Sequence, residues 1–199
     1  MTPEQLRTAL RDVPDPAWLD AACGRVAAEP SSIDRFFPAV GRRCGRGPLP
    51  DLPGWTADEA ARALLLVALP RRHAEYAENL YRHGDAAERR AVLRTLPLLP
   101  IGAAGVPLVL DAIRTNDTRL VAAALGPYAG HLDTASWRQA VLKCVFMGVP
   151  LSVVADLDER ADAELAAMLA GLAAERHAAG RSMPTDAVDL LDQLSAREA

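Results

Sequence analysis

The sequence is short of several residue types, and each shortage excludes a class of protein. Aromatic residues make up only 5% of the 199 residues, so the composition disfavours a β-sheet. The three cysteines, Cys23, Cys44 and Cys144, are widely spaced and form no CxxC pair. An odd, scattered set of this kind predicts reduced thiols in an intracellular protein rather than a disulfide framework.

Long apolar runs and an excess of positive charge are also absent. The longest apolar run, Ala63–Leu69, is far shorter than the ~20 residues that span a bilayer. The first residues lack the apolar core of a signal peptide. The net charge of −4 does not suit the binding of phosphate backbones. We therefore expect a cytoplasmic protein with no transmembrane segment and no nucleic-acid partner.

Motifs that carry chemistry are missing as well. The sequence has no HExxH, Walker, GxSxG or GxGxxG pattern. The four histidines, His73, His83, His131 and His177, do not stand at ligand spacing from one another or from a cysteine, whereas a metal ion needs convergent ligands. The sequence thus predicts no catalytic residue set, no metal site and no cofactor.

The residues that are abundant predict an all-α fold. Hydrophobic residues make up 50% of the chain, and alanine and leucine, which lose little side-chain freedom in a helix, dominate them. Capping signals at Thr2, Thr56, Asp85 and Asp133 begin helices. About nine or ten helices with short links follow, the longest over 159–179. They predict antiparallel helix hairpins in an irregular or HEAT-like array, within one domain over residues 1–199.

Residues 41–54 interrupt the helical pattern. This stretch combines clustered glycine and proline with Arg42, Arg43 and Arg46, and few of its residues support a helix. It predicts a long loop, which is either a flexible connector or a basic loop that binds an anion. Loops of this length are uncommon in compact domains unless they are functional or disordered.

A polar stripe on the helix that begins at Thr134 is the first candidate site. Ser136, Gln139 and Lys143 recur at i, i+3 and i+7, beside an apolar face that includes Trp137. Lys143 is the single lysine among 22 basic residues. It is either a ligand-binding or nucleophilic amine, or a snorkelling or salt-bridged lysine on a half-buried helix.

Charges near the longest helical pattern give the second candidate site. Arg160 and Glu164 stand at i, i+4, while Glu175 and Arg176 lie near the end of the pattern. Arg176 continues an apolar stripe, and a charge there needs a partner or a polar cavity. The alternatives are a buried ion pair between helices and an arginine that binds an anionic or hydroxylated ligand.

Three residues just upstream complete the candidate set. Arg114 and Asn116 stand between two predicted helices, where Asn116 or Asp117 can cap the second one. We interpret Asn116 as the cap. Tyr128 follows Pro127 and is either a packing aromatic or a hydroxyl that lines a pocket.

Several motifs keep their order and spacing over the back half of the chain. They are Arg114-Thr115-Asn116, Pro127-Tyr128, Trp137–Lys143, Phe146-Met147-Gly148, Leu157–Ala161 and Glu175–Arg181. Together they resemble the EboA family of metabolite traffic proteins, and the front half is similar to it more loosely. The resemblance implies an all-α protein that supports the synthesis, traffic or export of a secondary metabolite.

The resemblance also implies partners, because ebo clusters in bacteria and algae include a membrane prenyltransferase and sugar-phosphate-type enzymes. We expect a non-enzymatic adaptor that binds a small polar or prenylated metabolite, or enzymes of the same cluster, at the cytoplasmic face of the membrane. Its expected ligand-binding residues are Arg114, Asn116, Tyr128, Trp137, Gln139, Lys143, Arg160, Glu175 and Arg176.

Two alternatives to the adaptor remain open. The first is an enzyme of the same pathway that uses Lys143 with Glu175 and Arg176 on a sugar-like or carbonyl substrate. The second is a purely structural subunit, which would leave a large apolar surface unburied in the monomer.

Overall fold

The structure, a computed structural model, describes residues 1–198 and is built of helices. No β-strand forms among these residues, where one isolated antiparallel bridge joins Pro48 to Thr56. The predicted all-α fold is confirmed. The chain divides into two compact units, Met1–Leu108 and the residues from Val109 onward. One domain over 1–199 stays a prediction, and Ala199 lies outside the described residues.

The first unit contains seven α-helices and four short 3₁₀ turns. The α-helices are α1 (Pro3–Ala9), α2 (Pro16–Ala28), α3 (Ile33–Phe36), α4 (Val40–Arg43), α5 (Ala57–Val67), α6 (His73–His83) and α7 (Ala86–Thr95). The 3₁₀ turns are Pro30–Ser32, Phe37–Ala39, Leu96–Leu98 and Gly102–Gly105. The first two turns lie before and after α3, and the last two follow α7.

Helix α5 is the core of the first unit. Ten of its eleven residues are buried, and they include the charged Asp58, Glu59 and Arg62. The predicted start is confirmed, because the Glu59 carboxylate accepts a hydrogen bond from the Thr56 N–H at 3.1 Å. Helices α1, α2, α4, α6 and α7 all pack against α5. Charged side chains at the centre of a helical unit must therefore find partners there.

The stretch predicted as a long loop is shorter than expected and held in place. Its first residues, 41–43, belong to α4, and residues 44–56 are irregular. Backbone hydrogen bonds from Leu49 to Trp55 (2.9 Å) and from Ala57 to Gly47 (2.9 Å) close this segment on itself. Arg94 of α7 lies 4.2 Å from the Trp55 ring centroid. These contacts fix the segment on the surface of its own unit.

The second unit continues the helical pattern after α8 (Val106–Arg114), within which the division falls. Its further helices are α9 (Thr118–Ala124), α10 (Thr134–Met147), α11 (Leu157–Arg160), α12 (Ala163–Ala178) and α13 (Thr185–Glu198), with 3₁₀ turns at Pro127–His131 and Leu151–Val153. Asp133 caps α10, and Gly148 ends it in the left-handed region at φ 70°. Both ends of α10 agree with the prediction.

One predicted helix is wrong. The pattern over 159–179 forms two helices, α11 and α12, because Ala161 takes an extended conformation and Asp162 caps a new helix. Neighbouring helices in the chain pack on each other, α6 on α7 and α12 on α13. A HEAT-like arrangement of these pairs stays a prediction.

Candidate functional site

Arg160 contacts the Trp137 ring and two backbone carbonyls in the second unit. Its guanidinium lies 4.7 Å from the centroid of the buried Trp137 ring. Its Nη1 and Nη2 donate to the carbonyl oxygens of Ala129 (2.8 Å) and Leu132 (2.9 Å). Arg160 therefore ties the turn before α10 to α11. The predicted i, i+4 pair of Arg160 and Glu164 is wrong. Arg160 ends α11 and Glu164 belongs to α12, so the two residues do not lie on one face of a continuous helix.

The aromatic members of the predicted set are buried in the structure. Tyr128 is buried, and its ring centroid lies 4.7 Å from that of His131. Trp137 is fully buried, and its Nε1 has no hydrogen-bond partner among the described residues. The apolar face predicted the burial of Trp137 but not its contact with Arg160. Both alternatives for Tyr128 stay open.

Lys143 is half-buried and has a backbone partner. Its Nζ donates to the carbonyl oxygen of Thr115 at 2.8 Å, just after the end of α8. A cation at the C-terminus of a helix satisfies a carbonyl that has no partner within the helix. The predicted salt bridge is not among the ion pairs of the described residues, and Gln139 on the same stripe is exposed. The Lys143 ammonium thus satisfies a backbone carbonyl at the C-terminal end of α8.

Arg114 and Asn116, at the junction of α8 and α9, are exposed. Arg114 lies 3.6 Å from Asp111. The interpretation of Asn116 as a cap is wrong, because Asp117 is the N-cap of α9 and its Oδ1 accepts from the Arg119 N–H at 2.9 Å. The extended backbone of Asp117 (φ −86°, ψ 108°) places that side chain over the first turn of α9.

Glu175 and Arg176, near the end of α12, share no contact partner with Lys143 among the described contacts. Glu175 is exposed, and Arg176 donates from Nε to the carbonyl oxygen of Ser182 at 2.9 Å. Arg176 thus holds the turn between α12 and α13. Of the nine predicted residues, Arg160 contacts Trp137, whereas Lys143 and Arg176 donate to different backbone carbonyls. The joint role of the nine residues in ligand binding stays a prediction.

A buried ion pair in the first unit was not predicted. Arg62 Nη1 lies 2.6 Å from Asp58 Oδ2, with the two side chains 1% and 5% exposed. Arg62 Nε donates to the Phe37 carbonyl at 3.2 Å, and its Nη2 lies 3.8 Å from Glu88 Oε1. The i, i+4 spacing of Asp58 and Arg62 was visible in the sequence, but nothing in it indicated that this face is buried.

An open groove of about 340 Å³ lies beside this ion pair in the first unit. Its polar lining comes from Asp34, Asn79, His83 and Glu88, and its apolar lining from Phe37, Pro38 and Leu80, with Gly84 between them. This volume is within the range of pockets that hold small molecules. No residue of the predicted ligand-binding set lines the groove.

Hydrogen bonds fix the polar side chains of the groove. Asn79 Nδ2 donates to Asp34 Oδ1 at 3.3 Å, and His83 Nδ1 lies 2.9 Å from the Asn79 carbonyl oxygen. Since a carbonyl only accepts, Nδ1 carries the proton of this bond. Glu88 Oε2 accepts from the Asp85 N–H at 3.0 Å and completes the capping box of α7.

Gly84 is required where α6 meets α7. A Cβ at this position would lie 2.5 Å from the Leu80 carbonyl oxygen and 2.9 Å from Glu88 Cβ. Glycine therefore allows the end of α6 and the start of α7 to approach closely. The same close approach brings Leu80, His83 and Glu88 to one wall of the groove.

The described part of the chain offers neither a cluster of metal ligands nor a helix that could span a membrane. Within residues 1–198, no group of three or more His, Cys, Asp and Glu side chains could hold a metal ion. No described helix combines the length and apolar character needed to cross a membrane.

Comparison with known proteins decides the family. The family model described as metabolite traffic protein EboA matches residues 17–192 of the 199-residue chain. The chain belongs to the EboA family. The match confirms the resemblance in both halves of the chain. The matched residues include both the groove and the nine predicted residues. Neither the curated proteins nor the solved structures contained a match to this chain.

Proposed function

We propose that this EboA-family protein is a non-enzymatic binding protein that holds a small metabolite during its synthesis, traffic or export. The family description, metabolite traffic protein, supports the metabolite role. The observation that carries the binding role is the groove of about 340 Å³ with mixed polar and apolar lining. Such a groove orients a ligand through a few polar contacts while its apolar wall supplies buried area.

The contacts of Lys143 support binding over the enzymatic alternative. A Schiff-base lysine needs its amine free to attack a carbonyl. Here Nζ is engaged by the Thr115 carbonyl at 2.8 Å, while Arg176 donates to Ser182 and Glu175 is exposed. Lys143 and Arg176 thus donate to different backbone carbonyls, which supports binding over an enzyme that would use these two side chains together.

The test is to purify the protein from the organism that makes it and to analyse small molecules that remain bound. We expect one compound in near-stoichiometric amount, chemically unchanged after incubation, and a deletion strain that distributes this compound differently between cells and medium. A mock purification from the deletion strain is the control. Conversion of the compound by the protein, or an unaltered distribution with no bound compound, would refute the proposal.

A further inference from the structure

The groove of the first unit presents unused hydrogen-bond acceptors. Glu88 Oε1 accepts no hydrogen bond from the described residues, and Arg62 Nη2 is 3.8 Å away from it. The Asp34 carboxylate receives one hydrogen bond, from Asn79. A ligand that fits these groups must bring donors.

Charge decides which donor group fits best. Two carboxylates line the groove, and its described lining contains no lysine or arginine. Arg62 is held by Asp58 at 2.6 Å, so it neutralises Glu88 only in part across 3.8 Å. Arg89 lies nearby, but its guanidinium donates to the carbonyl oxygens of Gly84 and Arg82. A positively charged donor therefore gains more here than a neutral hydroxyl does.

The apolar wall limits the rest of the ligand. Phe37 and Leu80 are buried core residues that reach the groove, and Pro38 extends the same wall. A purely polar cation such as a free metal ion would leave this wall unused. A cation with a compact apolar body uses both parts of the groove.

We propose that the groove between α3 and the α6–α7 connection binds a small organic ammonium compound, with Glu88 and Asp34 accepting from its nitrogen. Pro38 and Leu80 contact its apolar body. This inference rests on the proposed metabolite-binding function and names its site and ligand class.

The experiment uses the full chain and benzylammonium as probe, with benzyl alcohol and benzoate as neutral and anionic counterparts. Amide chemical shifts in ¹H–¹⁵N spectra are followed during titration. We expect saturable shifts at Leu80 and Gly84 with benzylammonium, at least about tenfold weaker binding of benzyl alcohol, and no saturation with benzoate. Equal affinity for all three probes, or no saturable shift at these amides, would overturn the proposal.

Glu88→Gln tests the carboxylate without removing the helix cap, because glutamine at this position also completes a capping box. We expect binding of benzylammonium to weaken about tenfold in Glu88→Gln. The matched control is Glu4→Gln, an exposed acidic residue in the first turn of α1. Equal affinities of the two variants would overturn the role of Glu88.

The site and the proposed function fail in different ways. If the wild-type protein retains a pathway compound and Glu88→Gln retains it equally well, the function stands and the assigned site is wrong. If benzylammonium binds as expected but no pathway compound is retained, the site stands and the function is wrong.

Discussion

At the scale of single residues, Arg62 of the first unit is held by several partners at once. It is a fully buried cation whose three nitrogens contact Asp58, the Phe37 carbonyl and, at longer range, Glu88. Its guanidinium also lies 5.5 Å from the Phe37 ring centroid. Water cannot solvate a buried charge whose partner has been removed. Removal of one member of a buried ion pair therefore destabilises the fold strongly.

We expect Arg62→Met to lower the free energy of unfolding by about 3–5 kcal/mol, because Asp58 becomes an uncompensated buried charge. Urea denaturation followed by circular dichroism measures this loss. Arg25→Met is the control, since the Arg25–Glu29 pair has the same i, i+4 spacing at 3.2 Å but is mostly exposed. The control should lose less than about 1 kcal/mol. Similar losses in both variants would contradict the argument from burial.

Lys143 and Arg160 show which features of a site the sequence alone can predict and which it cannot. The single lysine of the chain drew attention to Lys143, and the structure gives it a specific contact with Thr115. The partner could not be predicted, because it is a backbone carbonyl 28 positions away. Arg160 likewise reaches two carbonyls that are about 30 positions upstream. The residue types predicted charged side chains beside the apolar core, but they did not identify the backbone carbonyls that these side chains contact.

At the scale of helices, the start of α12 depends on Asp162. Its Oδ1 accepts from the Leu165 N–H at 3.1 Å and from Arg138 Nε at 2.9 Å, and its Oδ2 accepts from Arg138 Nη2. The hydrogen bonds from Arg138 lower the pKa of the Asp162 carboxyl. One side chain thus caps α12 and joins it to α10.

We expect Asp162→Ala to destabilise the protein by about 1–2 kcal/mol, through loss of the cap and of the ion pair. Asp162→Asn keeps an amide oxygen for the Leu165 N–H and should lose about 0.5 kcal/mol. Because the folded-state pKa of Asp162 is lowered, the advantage of wild type over Asp162→Asn exists above the ordinary aspartate pKa of about 4. It disappears as the pH falls through the lowered value.

Urea denaturation between pH 7 and pH 2.5 measures this difference for Asp162→Asn. Asp189→Asn is the control, because Asp189 is exposed on α13. Its stability should follow wild type at every pH. A wild-type advantage at Asp162 that grows as the pH falls would show that the carboxylate is not stabilised by Arg138.

Helix starts were predictable from sequence because caps are local. The caps at Thr2, Asp85 and Asp133 involve residues three positions apart, so the spacing alone identifies them. The break between α11 and α12 was missed, since Glu159–Ala179 reads as one pattern and Asp162 resembles an interior surface residue. The groove was missed for a related reason. Its two walls come from residues 34–38 and 79–88, which only tertiary packing brings together.

At the scale of the whole molecule, the three cysteines are distributed over both units, with Cys23 and Cys44 in the first and Cys144 in the second. Cys44 and Cys144 are buried, and Cys23 is partly exposed on α2. Burial is the main cause that raises the pKa of Cys23 and Cys44 to about 11 and that of Cys144 to about 12. Because the thiolate is the reactive form, alkylation of the folded protein has to be slow.

We expect iodoacetamide at pH 8 to alkylate the native protein at least about 100-fold more slowly than the urea-unfolded chain, whose thiols return to a pKa near 8.5. Mass spectrometry of intact protein and of its peptides follows the three sites separately. Cys23 should react first, and the buried Cys44 and Cys144 should react at rates set by opening of their own units. Native alkylation of Cys144 as fast as that of the unfolded chain would mean that α10 is not packed as the structure has it.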